Sequence, residues 1–283
     1  MKLILVLLFI LPFGFSYSQL LDLHMLHYSV NQNMVFVTLS GDYEFEKLKD
    51  SICSNFKDSL KNQQIYLSLN HRKILLNDLT ILETDTMYLY NYETNRIKKI
   101  YISDLEMFAV LDPDNTYLDL FNIGFKIDDN SRKDLGNIFK VLVYIGKSNP
   151  FNLNRMKPFV WKKIKSKDFP FSKMDTIQKF DDDLKKLSFH YYKSDYYEYF
   201  VVNDLYSEYV LIFDFQGNKI NEVSFYFTES CPNAVVSENI LSQQYVGSLF
   251  KDKPELILGF EDCSFECSHL IFTNPLYGDI IAK

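Results

Sequence analysis

The chain has 283 residues, 47% of them hydrophobic. That excludes wholesale disorder and suits one large domain or two smaller ones. The formal net charge is −7, and an acidic chain repels phosphate backbones, so nucleic acid is not an expected partner.

The first element is a leader. Met1-Lys2 is followed by an apolar run over 3–15, broken by Pro12 and Gly14, and then by Ser16-Tyr17-Ser18. This reads as a secretory signal peptide over 1–18, with the mature chain starting near Gln19. The run is too short to cross a hydrocarbon core, which needs about 20 residues. No Cys stands at the cleavage point, so no lipid anchor is expected, and no later apolar run is long enough to span a membrane. The expectation is a soluble protein, secreted or periplasmic.

Residues 33–40 read as a strand. A helix is predicted over 43–61, where Phe45, Leu48, Ile52, Phe56 and Leu60 fall on one stripe. Asp42 can cap it, and Lys57 and Lys61 lie near its end, where the helix dipole favours cations. Short strands with polar breaks follow over 64–70, 86–92, 97–103, 117–127 and 138–146. No long helix separates them, which argues for antiparallel sheet. Residues 147–172 carry Pro150, Pro158 and Pro170 and read as a linker or surface crossing. A second helix is expected over 174–187, with Met174, Ile177, Phe180, Leu184 and Leu187 on one side. Strands over 196–203, 208–215 and 220–227 form a meander. Asp214-Phe-Gln-Gly-Asn218 gives its second turn the chemistry of a tight hairpin. Residues 237–250 read as helical, and 254–261 and 268–273 as a last pair of strands. The fold class is therefore α+β, dominated by antiparallel sheet, with lobes over 19–146 and 173–283 on either side of the crossing.

Chemistry is harder to find. Cys53, Cys231, Cys263 and Cys267 make an even count in an exported chain, so disulfides are the default reading. Cys263 and Cys267 face each other if the final strands form a hairpin, which leaves Cys53 for Cys231. A Cys263, Cys267, His269 zinc set lacks standard spacing and a fourth ligand. His24 and His27 are three apart and diverge if they lie in a strand. The acid clusters, among them Asp128/Asp129 and Asp181 to Asp183, lack EF-hand spacing and read as turns and solvated faces. No metal and no cofactor is therefore expected. The chain contains no GxSxG, HExxH, GxxxxGK[ST] or GxGxxG.

The aromatic content is 16%, with 25 Phe and 20 Tyr. It reads as the product of AT-rich codons ahead of a sugar-binding surface, and it favours strands. One basic stretch stands out: Arg155, Lys157, Trp161, Lys162 and Lys163 are candidates for contact with a polyanion. The functional expectation is a non-catalytic binding protein with a protein or glycan partner. A secreted hydrolase with an unassigned site, and an immunity protein that neutralises a toxin, are the alternatives.

Overall fold

The computed structural model describes residues 21–29, 34–39, 64–111, 121–175, 187–203, 207–226, 243–251, 253–258, 270–272 and 280–282. Among the described residues, the architecture is mainly antiparallel sheet with two helices.

The largest sheet has nine strands. Its path runs β3 (Gln64–Tyr66), β6 (Met107–Leu111), β7 (Phe121–Ile127), β2 (Met34–Thr38), β1 (Leu21–Ser29), β8 (Val141–Gly146), β4 (Thr86–Asn91), β5 (Arg96–Tyr101). β18 (Ile280–Ala282) adds to β1 in parallel. β1 is the joint of this sheet: its first half pairs with β8 and β18, its second half with β2. Met87, Leu89, Val141 and Val143 from one half share a core with Val35, Val37, Ile123 and Phe125 from the other. Helix α1 (Leu69–Asp78) closes that core with Leu75 and Leu76.

Ser68 starts α1 by accepting from the His71 N–H at 3.4 Å. Arg72 on its buried face is clamped from every side. Its guanidinium donates twice to Glu83, at 2.7 Å each, and to the carbonyls of Leu105 (2.6 Å) and Ile102 (2.5 Å). It also lies 5.5 Å from the centroid of the Phe125 ring. The hydrogen bonds from Arg72 hold the Glu83 carboxyl below its ordinary pKa. Helix α2 (Asp129–Leu135) is capped by Asp128, which accepts from the N–H groups of Asn130 and Ser131, each at 2.9 Å. Lys98 on β5 ties down its far end through Asp134 at 2.8 Å.

A five-stranded sheet orders as β10 (Lys162–Lys163), β11 (Ser188–Lys193), β12 (Glu198–Asn203), β13 (Ser207–Phe213) and β14 (Lys219–Tyr226). A four-stranded sheet orders as β17 (Leu270–Phe272), β16 (Leu256–Leu258), β15 (Gln244–Gly247) and β9 (Lys157–Phe159). The three sheets stack. Tyr245, Leu256 and Leu258 pack on Leu23, Tyr88, Tyr90 and Leu142 of the large sheet. Their neighbours Val246 and Ile257 pack the other way, on Tyr199, Val201, Val210 and Ile212 of the five-stranded sheet. The outer face of that sheet is covered by Phe169, Phe171 and Met174. Strands with two buried faces are apolar along their middles, and β13 and β4 are buried along their whole length, with polar residues only at their ends, Ser207 and Glu208 in β13 and Thr86 and Asn91 in β4.

The antiparallel α+β reading holds, and the 214–218 turn forms as its residues require. Asp214 accepts from the N–H groups of Gln216 and Asn218, at 2.9 and 2.8 Å, and Gly217 takes φ 79°. Other expectations change. The helix read over 237–250 is overturned at β15, because Tyr245 and Val246 serve two different cores, which a strand allows and one helix face does not. The strand read over 64–70 stops at Tyr66, and α1 follows. β1, β6, β9, β10, β11, β18 and α2 have no counterpart in the sequence reading, β9 and β10 falling within the stretch read as a linker or crossing. The helices expected over 43–61 and, save for its ends, 174–187 lie outside the described residues, as do residues 1–18.

Replacing Arg72 with Met keeps the aliphatic stem and strands two carbonyls and Glu83. Urea unfolding should show a loss of about 2–4 kcal/mol.

Candidate functional site

The layer between the four- and five-stranded sheets is dry in the middle and polar at one end. The change follows from strand periodicity. Glu255 precedes β16 on the same face as Ile257, two residues before it, and Lys157 precedes Phe159 on β9 in the same way. Where Ile257 and Phe159 meet apolar partners, Glu255 and Lys157 meet the β11–β12 turn, which carries Lys193, Ser194, Asp195 and Tyr196. The chain after β15, at Ser248, Lys251 and Lys253, and the chain before β9, at Asn152, Asn154 and Arg155, complete the walls. Together they enclose a cleft of about 300 Å3.

Two further contacts build its floor. Phe151 bridges Phe250, and the Asn152 N–H donates to the Leu249 carbonyl at 2.7 Å, which seals the two loops together. Gly247 has φ 155°, and a Cβ there would lie 2.0 Å from the Arg155 carbonyl oxygen. Glycine is therefore required for the close approach. Pro158 sits on β9, an edge strand of its sheet, where a missing N–H is tolerated.

Glu255 is 3% exposed. The Tyr199 hydroxyl donates to its Oε1 at 2.7 Å, and the Ser194 hydroxyl donates to the same oxygen. Ser194 is itself fixed in the turn by the Tyr196 and Tyr197 N–H groups, at 3.1 and 2.9 Å. Burial raises the Glu255 pKa above its ordinary value, while the two hydroxyl donors act in the opposite direction. Burial and the nearby Glu255 push the Tyr199 phenol far up, so it stays neutral and donates.

The cations are arranged differently. Lys157 pairs with Asp195 at 2.9 Å. Lys193 pairs with Glu198 at 3.0 Å and lies 4.8 Å from the Phe215 ring centroid. Lys251 donates to the Asn149 carbonyl at 3.0 Å. Among the described residues, Arg155 makes no ion pair. The cleft gathers five cations, Arg155, Lys157, Lys193, Lys251 and Lys253, against Asp195 and Glu255.

No protein-family model, curated protein or solved structure matches the chain. The site is read from its own residues.

The basic stretch of the sequence divides. Arg155 and Lys157 reach the cleft. Trp161 turns inward, donates to Gln244 Oε1 at 2.7 Å and packs edge-on to Phe159. Lys162 and Lys163 are exposed on β10. His24 and His27 diverge on β1: His24 is buried against the Thr38 carbonyl at 3.1 Å, and His27 is exposed and stacked on Phe36. Cys53, Cys231, Cys263 and Cys267 lie outside the described residues. Among the described residues, no group of three His, Cys, Asp or Glu side chains could hold a metal, and no helix is long and apolar enough to cross a membrane. Sequence reasoning missed Glu255, Ser194 and Tyr196. The one usable signal was an acid placed directly before the apolar run Leu256-Ile-Leu258.

Glu255→Gln keeps an acceptor for Tyr199 and Ser194 and removes the buried charge. A carboxyl with a raised folded-state pKa costs stability in its ionised form. That cost is fully present above the raised value and absent below the ordinary 4.5. The variant should be more stable than the native chain at neutral pH, with the gap closing as pH falls through that window; thermal melts across pH measure it. Gly247→Ala should lose about 2–3 kcal/mol in urea unfolding, as the Arg155 carbonyl is forced away.

Proposed function

We propose that this chain is an exported, non-catalytic binding protein whose ligand site is the basic cleft, and that its ligand is anionic. One observation carries the reading: in a chain of net charge −7, five cations line one cleft, and they outnumber the carboxylates there even after Lys157 pairs with Asp195 and Lys193 with Glu198. Local charge of the opposite sign to the whole chain favours an anion at that spot and raises its local concentration. The volume of about 300 Å3 lies at the lower end of small-ligand sites. Export is supported by the leader-like residues 1–18.

A hydrolase is the second reading, because Glu255 and Asp195 share the cleft and burial moves the Glu255 carboxyl towards the range of a general acid. Asp195 stands exposed on the turn and is neutralised by Lys157, so the pair suits binding better than acid–base work. The toxin-neutralising reading calls for an acidic face against a basic enzyme, and a cleft with five cations does not favour it.

The Arg155→Glu, Lys251→Glu double variant alters two cleft cations and leaves the sheets untouched. It should weaken retention on a heparin column at low salt by about tenfold or more, and flatten the dependence of retention on salt. Native retention that is absent, or unchanged in the variant, would sink the reading. Recovery of cleaved oligosaccharide from the bound fraction would favour the hydrolase.

A further inference from the structure

We propose that the cleft holds one ring of an anionic saccharide, a sugar bearing a carboxylate or sulfate beside free hydroxyl groups. The inference rests on the binding reading above and names its ligand class.

A bare polyanion fits the cations and fails at the opposite wall. Glu255 brings a carboxyl to the cleft, and its Oε1 accepts from Tyr199 and Ser194. A carboxylate buried behind the wall disfavours a densely charged ligand such as phosphate or a run of acidic side chains, and leaves room for a ligand that carries fewer charges beside neutral polar groups. A sugar acid suits both: its charged substituent goes to the cations, and its hydroxyl groups exchange hydrogen bonds with the polar side chains of the wall. The Asn152 and Asn154 amides, each with donors and an acceptor, extend the same chemistry along one wall. Asn154 is held at φ 60°, which fixes the loop that presents it.

The aromatic residues supply the third element. Tyr196 is 58% exposed at the tip of the β11–β12 turn and lines the cleft. Tyr192 lines it too, and is backed by Phe159 at 4.3 Å and Tyr199 at 6.1 Å between ring centroids. A ring braced from behind presents a rigid flat face, and the C–H face of a pyranose packs on such a surface at little entropic cost. Arg155 makes no ion pair among the described residues, so its guanidinium can take a carboxylate or sulfate through two parallel bonds.

The test uses the full chain and titration calorimetry, with Trp161 fluorescence as a second readout because that residue packs 6.2 Å from Tyr192. The probes are an oligogalacturonate, a sulfated dextran oligomer, neutral maltohexaose, hexaglutamate and inorganic tripolyphosphate. One or both anionic saccharides should bind about tenfold or more tighter than maltohexaose, hexaglutamate and tripolyphosphate, and whichever wins identifies carboxylate or sulfate as the charged group. Tyr196→Ala should weaken that binding by about two- to tenfold, the worth of one aromatic face. Arg155→Lys, which keeps the charge and loses the fork, should also weaken it. Lys162→Glu and Lys163→Glu on β10 should leave it unchanged. Equal binding of tripolyphosphate or hexaglutamate, with Tyr196→Ala neutral, would overturn the saccharide and leave an anion site. No binding of any probe, with Arg155→Glu silent, would overturn the site itself.

Discussion

β15 and β16 are buried on both faces, and the rest of the fold is arranged around that constraint. A strand sends successive side chains to opposite sides, so a sheet enclosed on both faces must satisfy two cores at once. Tyr245, Leu256 and Leu258 answer to the tyrosine-rich face of the large sheet. Val246 and Ile257 answer to the valines and isoleucines of the five-stranded sheet. Removing each such side chain from water contributes about 1.5–3 kcal/mol. Slipping the register by one residue would exchange the two sets and mismatch both cores at the same time.

The cleft is a product of the same alternation. At one end of the apolar layer between the two sheets, the residues on the layer-facing side change from Ile257 and Phe159 to Glu255 and Lys157. Buried polar groups at such an end need partners. Tyr199 and Ser194 supply them for the buried Glu255, while the exposed Lys157 pairs with the exposed Asp195. The β11–β12 turn therefore has two tasks: its backbone hydrogen bonds close a hairpin, and its side chains form one wall of the site. Gly247 lets the opposite wall come close enough for the two to define a cavity.

How far the sequence could be read depended on how local each determinant was. The turn at 214–218 was legible because Asp214, Gly217 and Asn218 solve their geometry within five residues. The strand at 86–92 was legible as a β-rich run, but its two faces, one of tyrosines and one with Met87 and Leu89, were not assignable, since nothing local says which core Tyr88 or Leu89 will meet. Residues 237–250 misled because mixed apolar spacing suits a helix until two partner layers exist to claim Tyr245 and Val246 separately. The basic stretch at 155–163 read as one patch. Folding divides it, because the Trp161 indole finds Gln244 and a ring from Phe159, while Arg155 and Lys157 turn towards a loop some ninety residues further on.

By itself, the sequence determined the antiparallel α+β class, the turn chemistry and an acidic chain with one local concentration of positive charge, because these follow from neighbouring residues and from summed composition. The tertiary structure decided the three-sheet stack, the burial of Glu255 and the meeting of Arg155, Lys193 and Lys251 around one cleft. Those features depend on contacts between residues far apart in the chain, and such contacts come into being only when β9, β15 and β16 pack against the five-stranded sheet.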